Sequence, residues 1–501
     1  MIKNIVANFF GKFWGLFSNF IFIPIYIRLL GIESYSIISF GLIIAGVMSV
    51  LDSGITATLS REMARADNNT RDKQRIFKTL ESIYFIITAF IILLVYFNSK
   101  YIASSWINTN IYAVEELKVF ISIIGIDVGF QLLIRFYLGG FIGMEQQVTS
   151  NLFQISWGFM RAGLVAVTLL MIPSLKMFFI WQAVSSVLFG LILCFKFRKA
   201  LSGVFFTGPP KIEKQVLINS WKFAGGMLLI SLVAALNTQM DKLAISKLLP
   251  VEQLGYYTLA VSLSMGLMFV VSPISTALLP RMTNYFTANL FNDAHILYSR
   301  TQILVSILTL SFSSNLFFYS KELLWIWTDD ITLANKSYIL LKILCVGITF
   351  LALAVIPFNV AIANGYTKLN NIIGLLSLFI TMPAYWFFTS LYGDVGAAMV
   401  YTVIQIVITF FYLYFISKKF FFTTSLKTIF VNPLVLPLVY SFLLAYGFSL
   451  LLPHFLLGRV GMLVWIGITT ILIVIIICFV LLPKLEIKLL QGKFRQKIFK
   501  M

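Results

Sequence analysis

Several ionisable side chains lie inside apolar runs, where a charge costs at least about 2.5–3.5 kcal/mol on membrane-insertion scales. Their spacing indicates what they face. In residues 4–28, Asn4, Asn8, Lys12, Gly15, Asn19 and Tyr26 fall within an arc of roughly 80° on a helix, and the other faces are Phe, Ile, Leu and Trp. Two readings of Lys12 stand. It lines a watered cavity walled by protein, or it reaches back to the near interface; aligned Asn8 and Asn19 favour the cavity. Farther along, Asp127, Gln131 and Arg135 step by four residues into a slowly turning polar ridge. Asp127 and Arg135 are too far apart to pair directly, with Gln131 placed to bridge them. Asn151, Gln154, Gly158, Arg161 and Thr168 share an arc of roughly 100°. Arg161 is near the middle of its run, so it meets an anionic ligand or forms a structural pair with Asp127. Asn237 and Asp241 align one turn apart with Lys242 alongside, and Asp52 precedes Gly54. Glu81 opens its run and reads as interfacial, and Tyr338, Lys342 and Thr349 share a face, with Lys342 near the run's end.

The elements that hold these groups are membrane spans. The 501 residues are 59% hydrophobic and 11% charged, with mean hydropathy +0.94. That composition predicts an all-α polytopic membrane protein with no sizeable soluble domain. About fourteen spans are expected, near residues 8–28, 35–58, 79–98, 117–142, 150–172, 177–197, 218–248, 256–279, 298–319, 337–363, 371–391, 395–416, 432–452 and 461–482. The division of 371–416 rests on the Tyr392-Gly393-Asp394 turn. The net charge of +19 does not point to nucleic acid, because Lys and Arg cluster after the second, sixth and twelfth spans and in the tail. By the positive-inside rule both termini are cytoplasmic.

The best boundary is the connection around Gly208-Pro209-Pro210, since Pro-Pro breaks a helix. It divides an N-terminal lobe (1–200), a linker (201–216), a C-terminal lobe (217–418), two additional spans (419–482) and a basic tail (483–501). The chain also repeats across it: Leu29-Leu30-Gly31-Ile32-Glu33 leads to Arg61 as Leu248-Leu249-Pro250-Val251-Glu252 leads to Arg281. An even number of spans per half makes this a parallel repeat, unless the match is chance. The last two spans carry almost no charge and read as a lipid-facing addition. Gly139-Gly140-Phe141-Ile142-Gly143 reads as a helix-packing motif.

Other chemistry finds no residues to carry it. There is no Gly-rich phosphate loop ending in Lys-Ser/Thr. Cys194, Cys345 and Cys478 are isolated, and His295 and His454 sit in no ligand motif. No cofactor, metal or catalytic constellation is expected. The chain reads as a mover rather than a maker.

Leu30-Gly31-Ile32-Glu33-Ser34-Tyr35, then Leu51-Asp52-Ser53-Gly54 and Arg61-Glu62-Met63-Ala64-Arg65, resemble the opening of bacterial O-antigen-type polysaccharide transporters. These are Wzx-like flippases of undecaprenyl-linked oligosaccharides, in the superfamily that also holds multidrug extruders and lipid II flippases. Met240-Asp241-Lys242-Leu243 and Gly255-Tyr256-Tyr257 resemble the start of that family's second lobe, while Ser36 stands where the family pattern has glycine. The resemblance implies two pseudo-symmetric six-helix lobes around a central cavity, two C-terminal helices, and alternating access in a bacterial cytoplasmic membrane. It implies an undecaprenyl-pyrophosphate oligosaccharide as cargo, with a polysaccharide polymerase and chain-length proteins as pathway partners. On that footing Lys12, Arg135 and Arg161 would replace the hydration of the pyrophosphate, and Asn8, Asn19, Asn151, Gln154 and Asn237 would meet sugar hydroxyls. Asp52, Asp127 and Asp241 are the acids available for coupling or ion pairs. A lipid II flippase would need the same cations, and an exporter of cationic drugs would need an acidic cavity instead. A non-transporting scaffold of an envelope-assembly complex is the reading from another class.

Overall fold

A backbone in hydrocarbon must satisfy its own polar groups, so apolar runs of this length become helices. The computed structural model describes Ser18 and residues 20–65, 69–202, 212–422, 425–451 and 458–498. Asn4, Asn8, Lys12, Gly15, Asn19, His454 and the Gly208-Pro209-Pro210 connection lie outside the described residues. In chain order the helices are α1 (Phe20–Leu30), α2 (Ile32–Met48), α3 (Val50–Ala64), α4 (Thr70–Tyr101), α5 (Val114–Gly143), α6 (Gln147–Met171), α7 (Leu175–Ser202) and α8 (Lys214–Leu248). There follow α9 (Val251–Thr287), α10 (Phe291–Phe318), α11 (Ser320–Thr328), α12 (Ile331–Ala363), α13 (Thr367–Phe421), α14 (Lys427–Leu450) and α15 (Arg459–Ile498).

Twelve candidate membrane spans are present among the described residues. Gly393, at φ 64° and ψ −148°, interrupts the 55-residue α13. Dividing α13 there gives thirteen, and Phe20–Leu30 is a further, shorter apolar helix, against about fourteen expected. Gly31, at φ 84°, separates α1 from α2, a conformation that suits a residue without Cβ.

The chain forms two compact units, Met1–Thr258 and Leu259–Met501. In the first, α5 is central and packs on α3, α4 and α7, while α8 packs on α2 and α3. A Cβ on Gly139 would stand 2.5 Å from Thr56 Cγ2, and one on Gly143 would stand 2.3 Å from the Ser60 carbonyl oxygen. The glycine motif is thus the contact that seats α5 against α3. Phe77, Tyr84, Phe136, Tyr137 and Phe197 fill the space beside it, with ring centroids 4.5–6.4 Å apart. In the second unit α12 packs on α10 and α13, and α14 and α15 pack on α10. Asn315 donates to Thr470 Oγ1 at 2.7 Å across that last seam. Both final spans therefore pack on α10, the last through a buried polar contact, and one face of them is not lipid-facing.

Candidate functional site

Helix α6 carries Arg161 near the middle of its apolar span. At Met160–Leu164 it widens into a π-helical turn, a departure that often marks functional positions. Three side chains from neighbouring helices bond the carbonyls there. Trp181 Nε1 donates to Met160 O at 2.9 Å, Gln182 Nε2 to Arg161 O at 2.9 Å, and the Tyr26 hydroxyl to Ala162 O at 2.9 Å. The backbone beneath Arg161 is thereby fixed from α1 and α7.

The Arg161 side chain forks onto Asp127 of α5, with Nη1 to Oδ1 at 2.5 Å and Nη2 to Oδ2 at 3.0 Å. Ser186 of α7, fully buried, accepts from Nη1 at 2.6 Å and donates to Asp127 Oδ1 at 2.6 Å. Gln131 donates to Oδ2 at 2.8 Å, and the guanidinium carbon lies 5.1 Å from the Trp157 ring centroid. The pair stays reachable: 17% of the Arg161 side chain and 10% of that of Asp127 remain exposed. Gln131 makes the Asp127 half of the expected bridge and not the Arg135 half. Arg135 is exposed and has no carboxylate at ion-pair distance among the described residues. Its charge acts on Asp52, which is buried on α3 and accepts from the hydroxyls of Thr56 and Tyr84.

Glu81 corrects an expectation. It is buried rather than interfacial, forked onto Arg198 of α7 at 3.0 and 2.9 Å, and it accepts from the Tyr137 hydroxyl at 2.7 Å. The reason is the length of α4, which starts at Thr70 and so carries Glu81 three turns inside the bundle. Asp241 is buried on α8, with the Tyr257 hydroxyl donating to Oδ2 at 2.8 Å and Oδ1 unpartnered among the described residues. Asn151 donates to Gln147 O and Asn237 to Val233 O, each within its own helix, and Gln154 is exposed. None of these three amides bonds Arg161 or Asp127. Lys342 lies near the rings of Phe317 and Tyr338 at 5.4 and 5.6 Å.

Sequence reasoning missed Ser186, Gln182 and Trp157. Gln182 and Ser186 stand one turn apart in an apolar run, the same signal that marked Asp127 and Gln131. Tyr84 and Thr56 beside Asp52 gave no comparable signal. Among the described residues no group of three His, Cys, Asp or Glu is placed to hold a metal.

The model of the family "Polysaccharide biosynthesis protein" matches residues 1–286. The chain belongs to that family. A second model, MatE, matches residues 227–387 of this polysaccharide-biosynthesis protein. The Shigella flexneri protein "Putative O-antigen transporter" is 22% identical over 414 residues, spanning 80% of this chain and 94% of its own. Among solved structures, the "Lipid II flippase MurJ, inward closed conformation" superposes with TM-score 0.75 at 14% identity, covering 97% of this chain and 100% of its own. An inward-facing multidrug resistance MATE family transporter of the MOP superfamily gives TM-score 0.68 at 12% identity, covering 83% and 98%. The family member described here has that superfamily's fold.

Proposed function

We propose that this chain is a flippase that moves an undecaprenyl-pyrophosphate-linked oligosaccharide, an O-antigen or similar repeat unit, from the cytoplasmic to the outer leaflet. Transport proceeds by alternating access between two six-helix lobes, with both termini cytoplasmic and the polyprenyl tail left in lipid. The observation that carries the reading is Arg135, an exposed cation on a spanning helix with no contacting carboxylate among the described residues, on the same helix as Asp127 of the accessible Arg161 pair. Such a charge needs water or an anion, and a guanidinium presents phosphate with paired donors. The name of the Shigella flexneri relative supports a glycan cargo, and that of the MurJ neighbour a lipid-linked one.

The MatE match favours one second reading, an exporter of cationic drugs. It is the weaker of the two, because Asp127 and Glu81 are already bonded to arginines and Asp52 lies under the charge of Arg135. Deleting the protein should make a lipid-linked glycan accumulate on the cytoplasmic leaflet; no accumulation overturns the flippase. Arg135→Ala should lower export at least about tenfold, a loss of one charged hydrogen bond, with Arg135→Lys retaining part. Normal export by the alanine variant removes Arg135 from the site.

A further inference from the structure

A cation that is to receive phosphate is already taken by a carboxylate, and the geometry of that pair suggests how it is released. We infer that Asp127 is a built-in competitor for the cargo's phosphate, holding Arg161 in the empty protein and taking up a proton when phosphate displaces it. The inference rests on the flippase reading above.

Three observations carry it. First, both Nη atoms of Arg161 that face Asp127 are used, at 2.5 and 3.0 Å. A phosphate would use the same planar fork, so carboxylate and phosphate exclude each other on that edge. Second, the backbone is held by contacts that do not involve the Arg161 side chain. Trp181, Gln182 and Tyr26 hold the carbonyls of the π-turn, and the Trp157 ring lies within cation–π range of the guanidinium. Exchange therefore asks for a rotamer change of Arg161, not for movement of α6. Third, the surroundings hold spare polarity: Gln182 Oε1, on a side chain only 5% exposed, has no protein partner among the described residues. That oxygen can accept from a displaced guanidinium or from a hydroxyl of the cargo.

Displacement leaves the Asp127 carboxylate with the hydroxyl of Ser186 and the amide of Gln131, both neutral. A buried carboxylate that loses its cation, here the one in contact among the described residues, gains a proton instead. The step balances without redox chemistry: the Arg161–Asp127 contact breaks, an Arg161–phosphate contact forms, and one proton moves from water to a carboxylate oxygen of Asp127. Among the described residues, the other charged or titratable groups around the site are these. Arg135 lies two turns along α5, Asp52 on α3 and Tyr84 on α4 share its field, and Tyr26 of α1 feels the charge of Arg161. From α7 only neutral Ser186 and Gln182 face the pair.

The test uses the full chain in lipid nanodiscs with undecaprenyl pyrophosphate as the probe, and follows binding together with proton uptake in weakly buffered solution. Wild type should take up about one proton more per bound probe than Asp127→Asn, whose proton count reports the probe's own titration. Asp127→Asn should also bind the probe about tenfold more tightly, its competitor having lost its charge. Equal proton counts with both proteins binding overturn the inference and leave the flippase reading intact. Failure of wild type to bind the probe removes both. Should the asparagine variant not fold, infrared difference spectra of wild type decide: a protonated-carboxyl band appearing with the probe supports the exchange, and its absence overturns it.

Discussion

Removing Arg161 alone does two things at once. It deletes a candidate phosphate ligand and leaves Asp127 buried without its counter-charge, a change that costs roughly 3–5 kcal/mol where a buried pair is broken. Arg161→Ala should therefore lose both export and folded protein, and export by itself cannot say why. The neutral double variant Asp127→Asn with Arg161→Gln separates the causes. It keeps hydrogen-bonding groups in the space between α5, α6 and α7 and leaves no charge behind, so folded protein should return to near the wild-type amount in detergent extracts. Export should stay low, by tenfold or more, because the donor fork is gone. Recovery of export alongside folding would make the pair purely structural. Asp127, Gln131 and Arg161 were legible in the sequence because a charge inside an apolar run stands out. Asp127 was also legible as one of the two candidate partners of Arg161, but the π-turn of α6, which helps set where Arg161 points, leaves no mark in spacing counted at 100° per residue.

Helix contacts obey plainer rules. The Ser60 carbonyl has no room to retreat from a methyl group at Gly143, so Gly143→Ala should push α5 off α3 and destabilise the first unit by about 1–3 kcal/mol, the usual cost of overpacking. A lower midpoint in a thermal unfolding assay would show it. Asp330 caps α12, accepting from the Thr332 and Leu333 amides at 2.7 and 3.2 Å. Partial burial pushes its carboxyl up, but the Thr332 hydroxyl and the two amides outweigh that and hold it below the ordinary value. A depressed carboxyl contributes stability above its unfolded value and loses it as pH falls through the folded one. Asp330→Ala should therefore cost about 1 kcal/mol near neutrality, with the difference from wild type shrinking in acid below the ordinary carboxylate range. Helix existence was readable from apolar runs throughout, and the Gly139–Gly143 motif was readable as packing. Glu81 was misread because helix length past the apolar run decides burial, and hydropathy does not mark where α4 begins.

Across the whole molecule, the number of charges moved per cycle ties the site to the membrane. If the cargo crosses with two negative charges, an inside-negative potential favours export by roughly 2.3 kcal/mol per charge per 100 mV. At 50 mV the two charges together give about 2.3 kcal/mol, or about a 45-fold leaflet ratio. A proton bound to Asp127 during the loaded step cancels one of them and leaves about a sevenfold ratio at the same potential. Proteoliposomes holding an imposed potassium diffusion potential give that ratio directly, from the fraction of lipid-linked glycan accessible to an external probe at steady state. Wild type should follow the shallower dependence and Asp127→Asn the steeper one, because asparagine carries no proton across. Two equal steep slopes would mean that Asp127 stays ionised while cargo moves, and a ratio indifferent to potential would mean that another gradient drives the cycle.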